Sequence, residues 1–304
     1  DHITAGKHSS ELFCDAAIDH LRGYDDEKPF FMYVAFMAPH DPRTMPQEYL
    51  SMYDPDDIEL PESFAPEHLI DTGNLRGRDE MLAGFPRTPA EIRRHIAAYY
   101  AMITHLDAQI GRVLQALEET GHADDTIIVF AGDNGLAVGQ HGLLGKQNLY
   151  DHSVRVPLIM AGPGIPRNER RNAFAYLLDI YPTLCDLLEV QIPDSVEGKS
   201  LLPVLADPEA HIRDHLLYAH RQFQRGVRDH RYKLIEYVVE GNRATQLFDL
   251  HDDPMELTNL ADDPEFAGHL QRLRQLLVRW RDELGDDGTP HEPTGAFWEG
   301  YERQ

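Results

Sequence analysis

Cysteine is scarce: the chain of 304 residues has only Cys14 and Cys185. Both stand in segments with helical patterning, ELFCDAAIDHL and YPTLCDLLEV, so they read as small core residues and not as a disulfide framework. No apolar run approaches the roughly 20 residues that a membrane-spanning helix needs, and no signal-peptide pattern opens the chain. Positive charge is in deficit: 28 Lys and Arg face 52 Asp and Glu, a formal net charge of −24. That balance favours solubility and argues against nonspecific nucleic-acid binding. It also sits badly with an anionic substrate, unless a metal ion and a few cations offset the field locally. There is no internal repeat, low-complexity stretch, P-loop, CxxC pair or basic aromatic patch. What remains is the composition of a soluble globular protein, long enough for one large domain or two smaller ones.

The chain is organised around residues 126–160, TIIVFAGDNGLAVGQHGLLGKQNLYDHSVRVPLIM. Thr126 to Ala131 is a short apolar run rich in β-branched residues and predicts a buried strand. It stops at Gly132-Asp133-Asn134-Gly135, so two oxygen-bearing side chains stand at a strand's carboxyl end, where open α/β sheets bind ligands. Asp, Asn and Gly are also common turn formers, and alone the triplet reads as a turn. His141 and Lys146 follow in a glycine-rich loop, and a second strand is predicted over Val156–Met160.

Upstream, residues 10–22 predict an amphipathic helix with Ser10 as its N-cap. FFMYVAFM, residues 30–37, predicts a buried strand that ends at Ala38-Pro39-His40-Asp41-Pro42, which puts His40 at a strand end too. Residues 43–88 are irregular and too long for a simple connection, which suggests a functional surface insertion. Residues 89–119 carry apolar positions at helical spacing from Ile92 to Leu117, with Thr88 and Glu91 placed as a capping box and Gly121 as the stop. Downstream, 172–189 predicts a helix, 214–253 a small antiparallel sheet, and 264–284 a helix covering it. The last 20 or so residues, with Phe297 and Trp298, read as a tail that docks by its aromatics or stays mobile.

Taken together, the run G-D-N-G, H-G-L-L-G-K and Y-D-H-S-V-R-V-P-L-I resembles the sulfatase family of the alkaline phosphatase superfamily. So do the P-H-D-P turn at His40, Asp179-Ile180-Tyr181-Pro182-Thr183, V-E-G-K-S-L-L-P-V-L at 196–205, Y-K-L-I and L-F-D-L-H-D-D-P-M-E-L-T-N-L. The resemblance covers about 10–265 and implies an α/β fold, a mixed sheet sandwiched by helices, with a small C-terminal antiparallel sheet plus helix. The implied divisions are a main domain over 1–205, a C-terminal subdomain over 206–285 and a tail over 286–304. It implies hydrolysis of sulfate esters. Asp133 and Asn134 would be ligands of a divalent metal, Ca²⁺ favoured and Mg²⁺ second, since hard oxygen donors suit both. Lys146 would bind a sulfate oxygen and assist the leaving group, and His40 would hydrogen-bond sulfate. His141 would stand near the pocket mouth, and Arg43, Arg76 and Arg78 are weaker candidates for substrate contacts that read equally well as solvated arginines.

Three family elements are missing: a strand ending in paired aspartates, the C-x-P-S-R motif whose cysteine becomes a formylglycine nucleophile, and G-K-W-H-L-G. Two oxygen ligands are too few for Ca²⁺, which takes six to eight. The sequence is therefore expected to be a fragment of a longer sulfatase, inactive alone, with the formylglycine in a preceding segment. A phosphoester or phosphonate-ester hydrolase of the same superfamily and a non-catalytic relative are the alternatives. The expected partner is a sulfated saccharide or small aryl or alkyl sulfate, with no nucleic acid and no membrane. A homo-oligomer and the compartment stay open.

Overall fold

Residues with strong helical spacing form the longest elements of the computed structural model, which describes residues 6–288 and 297–301. The chain packs as two units. One takes the chain up to Leu60, then Thr88–Ile128 and Met160–Pro163; the other takes Pro61–Arg87, Val129–Ile159 and the chain from Gly164 on.

In the first unit, helix α1 spans Ser9–Gly23, α2 is the single turn Gln47–Leu50, and α3 runs Pro89–Glu119. The α1 cap is His8, two residues before the expected Ser10, and its ring nitrogen accepts the Ser10 N–H at 3.2 Å. Thr88 caps α3 by accepting the Glu91 N–H. Ile18 and Leu21 of α1 meet Ala116 and Leu117 of α3, and Met102 and Leu106 meet Ala38. Each such aliphatic side chain contributes roughly 1.5–3 kcal/mol by leaving water.

Residues 30–37 are extended, but among the described residues no strand pairs with them, and the expected buried strand is corrected to a half-covered one. Phe30, Met32 and Phe36 pack on the helices. The alternate residues Phe31 (82% exposed), Tyr33 (83%) and Met37 (69%) face outward. Period-two geometry sends alternate side chains to opposite faces, and only one face meets a partner. The central strands share this feature. Strand β1, Ile128–Ala131, pairs with β2, Leu158–Ala161, yet Phe130 and Ile159 stay exposed, where full burial was expected.

The second unit holds the single turn α4, Asp151–Val154, then α5, Ile180–Leu187, and α6, Leu202–Ala206. Helix α5 begins eight residues later than the sequence predicts because Asp179 fixes the chain before it. Its buried carboxylate accepts the N–H groups of Tyr176 (2.6 Å) and Lys199 (2.8 Å) and pairs with Arg213. Four strands follow in the antiparallel order β3 (Leu216–His220), β4 (Gln224–Arg228), β5 (Tyr232–Val239), β6 (Asn242–Asp249). Helix α7, Ala267–Leu284, covers one face: Leu273, Leu276 and Leu277 pack on Val227, Leu234 and Leu247. Phe297 is buried and Trp298 and Tyr301 join this core, so the aromatic end of the tail docks. The rest of the expected tail, 289–296 and 302–304, lies outside the described residues. The other face of β5 and β6 presents Ile235, Tyr237 and Phe248 to Ala137, Leu143, Leu149 and Tyr150. The sheet is thus covered twice, and its second cover is the loop singled out in the sequence. Cys14 and Cys185 are free and buried.

Candidate functional site

The second unit carries Asp133, Asn134, His141, Lys146, Arg76 and Arg78; the first carries His40 and Arg43. Asp133 and Asn134 follow β1 and are exposed, and one Asp133 carboxylate oxygen accepts the Asn134 N–H at 2.9 Å. That leaves a second carboxylate oxygen and an amide oxygen at the strand end, a hard donor pair that fits two positions of a Ca²⁺ or Mg²⁺ shell. Among the described residues, no group of three or more His, Cys, Asp or Glu is arranged to hold a metal, so further donors would have to come from elsewhere.

After Gly135, whose N–H bonds the Ser153 carbonyl at 2.8 Å, the chain closes on itself. Ala137 N–H reaches Gly145 O at 3.0 Å and Gly139 N–H reaches Leu143 O at 2.9 Å. Residues 63–87 wrap this loop. His141 N–H bonds Ser63 O at 2.6 Å, and Phe64 bridges to Gln140. The expected surface insertion is therefore, in its second half, a buried clamp. Its centre is Arg87, wholly buried, which donates to Glu80 (2.8 Å), Ala83 O (2.7 Å) and Gly142 O (3.2 Å). The Glu80 carboxylate also accepts the N–H groups of Leu144 and Gly145, each at 2.8 Å. Burial pushes the Glu80 carboxyl up, and the two amides and Arg87 oppose this.

The glycine spacing in HGLLGK follows from this clamp. A Cβ on Gly142, φ +75°, would lie 2.3 Å from the Glu67 carbonyl carbon, and one on Gly145 would lie 2.7 Å from a Glu80 oxygen. Gly142→Ala is expected to destabilise the chain by about 1–3 kcal/mol, the usual cost of overpacking. Urea denaturation checks this, and an unchanged midpoint would show that the 67–68 backbone yields.

His141 stacks on Tyr150 with ring centroids 4.0 Å apart, and His152 stacks on the same ring at 5.5 Å. The Tyr150 hydroxyl donates to Gln246 (2.9 Å) and lies 3.0 Å from His68 Nε2. Burial, with His68 and Lys233 nearby, pushes the His141 imidazole down to about 4, and burial lowers His68 and His152 too. Beneath the stack, buried Lys233 of β5 lies 2.8 Å from both Asp151 and Glu256. Glu256 in turn accepts the Asp151 N–H at 2.7 Å, and Arg228 reaches Asp151 at 3.2 Å. Burial raises the Glu256 carboxyl; at Asp151 the nearby cations outweigh burial and lower it.

Lys146, partly exposed, has its Nζ 3.8 Å from Asp79. Arg78 donates to Asp79 at 2.7 and 2.9 Å, and Arg76 lies over the Phe85 ring at 4.3 Å. In the first unit, Arg43 bonds His95 and lies 6.0 Å from the Tyr99 ring centre. His40 is part-exposed, its Nδ1 2.8 Å from the Asp41 carbonyl oxygen. The structure thus brings His141 and Lys146 onto one clamped loop of the second unit, with Arg76 and Arg78 on the clamping segment. Sequence reasoning missed Asp79, Glu80, Arg87, Asp151, Lys233 and Glu256. The last three stood in the motifs Y-D-H-S, Y-K-L-I and D-P-M-E with no role attached, while Asp79 and Glu80 look like any surface acids in an acidic stretch.

Comparison with known proteins agrees with this frame. The sulfatase family model matches residues 2–190, and the model for the C-terminal part of N-sulphoglucosamine sulphohydrolase matches 139–283. An arylsulfatase of Clostridium perfringens is 35% identical over 283 residues, which cover 90% of this chain and 57% of that protein. A solved structure bound to its substrate D-glucosamine-2-N,6-O-disulfate superposes with a TM-score of 0.79 at 24% identity, over 94% of this chain and 72% of that one. The phosphonate monoester hydrolase of Agrobacterium radiobacter gives a TM-score of 0.78 at 29% identity, over 91% and 61%. The chain spans somewhat over half the length of the arylsulfatase it matches.

Proposed function

Because the chain belongs to the sulfatase family, we propose that it takes part in metal-dependent hydrolysis of sulfate esters, on a sulfated sugar or a small aryl or alkyl sulfate. The observation that carries this reading is the clamped loop. It holds a lysine ammonium at a fixed place, downstream of an exposed Asp–Asn pair that ends a strand. Asp133 and Asn134 hold the divalent ion, Ca²⁺ in preference to Mg²⁺. The bound ion supplies Lewis-acid stabilisation of charge on the sulfate oxygens. Lys146 donates to a sulfate oxygen and meets the charge that develops on the leaving oxygen. Neither cysteine serves as nucleophile: both are buried, and burial raises the Cys14 thiol. The nucleophile of this reading is a formylglycine carried outside these residues. The role proposed for His40, hydrogen bonding to sulfate, rests on the resemblance alone.

The test uses enzyme that turns over 4-nitrophenyl sulfate, with metal content measured alongside. Asp133→Ala is expected to lose both metal and activity. Lys146→Ala should keep its metal and lose on the order of 10²–10³ in rate, the usual cost of removing one charge-stabilising donor. Normal turnover in either variant sinks the assignment. The 29%-identical phosphonate hydrolase with a shared fold supports a second reading, a phosphonate or phosphate ester substrate. Faster hydrolysis of 4-nitrophenyl phenylphosphonate than of the sulfate would establish it instead.

A further inference from the structure

We propose that Asp79 and Glu80 are positioning residues for Lys146, an inference that rests on the catalytic reading of that lysine. The two acids are consecutive, and both are almost fully buried. They grip the chain on either side of residue 146. Glu80 takes the amides of Leu144 and Gly145, before it. Asp79 takes the Gln147 side-chain amide at 3.0 Å, after it, and stands 3.8 Å from the lysine Nζ. Arg87 completes the grip through the Gly142 carbonyl.

A buried carboxylate without partners is expensive, so donors directed at Glu80 and Asp79 from five residues, 78, 87, 144, 145 and 147, mark a built arrangement. Lysine is a point charge on a flexible stem, and its direction has to be imposed from outside. The Asp79 contact is well suited to that. At 3.8 Å it is an ion pair without a tight hydrogen bond, so it orients the ammonium while leaving its protons available to a substrate oxygen. The same carboxylate weakens the pull of Lys146 on an anion in the ground state. Removing the Asp79 charge should then leave anion binding intact or stronger and make catalysis worse, a split that simple loosening of the fold does not produce.

The experiment compares Asp79→Asn, Asp79→Glu, Glu80→Gln and Lys146→Ala in enzyme that hydrolyses 4-nitrophenyl sulfate. Asp79→Asn is expected to lower kcat about tenfold with KM unchanged or lower, and Asp79→Glu to recover part of that loss, because misplacing a reacting group by about 1 Å costs up to 10²-fold. Glu80→Gln should lower kcat and speed hydrogen exchange at the Leu144 and Gly145 amides. Should Glu80→Gln not fold, the two Asp79 variants carry the test. A Lys146→Ala loss with Asp79→Asn at wild-type kcat, or with a loss confined to a raised KM, overturns this inference alone. Normal turnover in Lys146→Ala overturns the catalytic reading and this inference with it.

Discussion

Lys233→Met is expected to lower the unfolding free energy by about 3–5 kcal/mol, the usual cost of leaving a buried ion pair half empty. Lys233 is fully buried and lies 2.8 Å from both Asp151 and Glu256. Methionine matches its stem but takes the ammonium away from both carboxylates, leaving Arg228 and Arg155 to act on Asp151. Glu256 already feels burial strongly enough to be raised while the lysine is present. Most of the loss is thus desolvated charge and not lost attraction. The triple variant Lys233→Met, Glu256→Gln, Asp151→Asn should recover a good part of it. Urea denaturation followed by far-UV circular dichroism reads both. A single-variant loss under about 1 kcal/mol, in the range of surface pairs, would show that water enters and screens the cluster. The loss would reach the candidate site as well, because Asp151 begins the turn that follows the Lys146 loop.

Acid should weaken the fold well before the ion-paired aspartates titrate. An unfolded histidine takes up its proton near pH 6.5, whereas His141 in the folded chain does so only at about 4. Between those values the unfolded chain binds more protons, so stability falls as pH drops from 6.5 to 4. For His141 alone the loss approaches roughly 3 kcal/mol at the lower limit, at 1.36 kcal/mol per unit. His68 and His152 act in the same direction, each lowered by burial. Glu80 and Glu256 act in the opposite one, since their raised carboxyls bind protons more readily folded than unfolded. Below about pH 4 the lowered aspartates, Asp79, Asp151 and Asp249 among them, add a second loss as their ion pairs are neutralised. Denaturation curves at pH 7 and pH 5 should therefore differ by less in His141→Asn than in the parent, by roughly 2 kcal/mol. Asparagine tolerates the φ of +53° at this position. Equal slopes in parent and variant would place the acid sensitivity elsewhere.

Elements that depend on near neighbours were legible. The α3 pattern from Ile92 to Leu117, with Thr88 before it and Gly121 after it, specifies a helix through contacts three and four residues apart. The alternation along β3–β6 specifies a hairpin sheet in the same local way. The clustering of Asp133, Asn134, His141 and Lys146 in one short stretch marked the candidate site for the same reason. Residues 30–37 show the limit. Their composition asks for a strand, but composition does not say what covers the second face or which strand supplies the hydrogen bonds.

The sequence alone thus determined the family, the main helices, the C-terminal sheet and the loop that carries the candidate lysine. Tertiary structure alone decided what holds that loop. Glu80 finds its amides more than sixty residues away, Lys233 its carboxylates at Asp151 and Glu256, and His141 its place against Tyr150. Nothing near Glu80 or Lys233 in the chain distinguishes them from the many charged residues that stay in water. A buried charge is stable only where its partner is also buried, and which partner arrives is fixed by how distant segments pack.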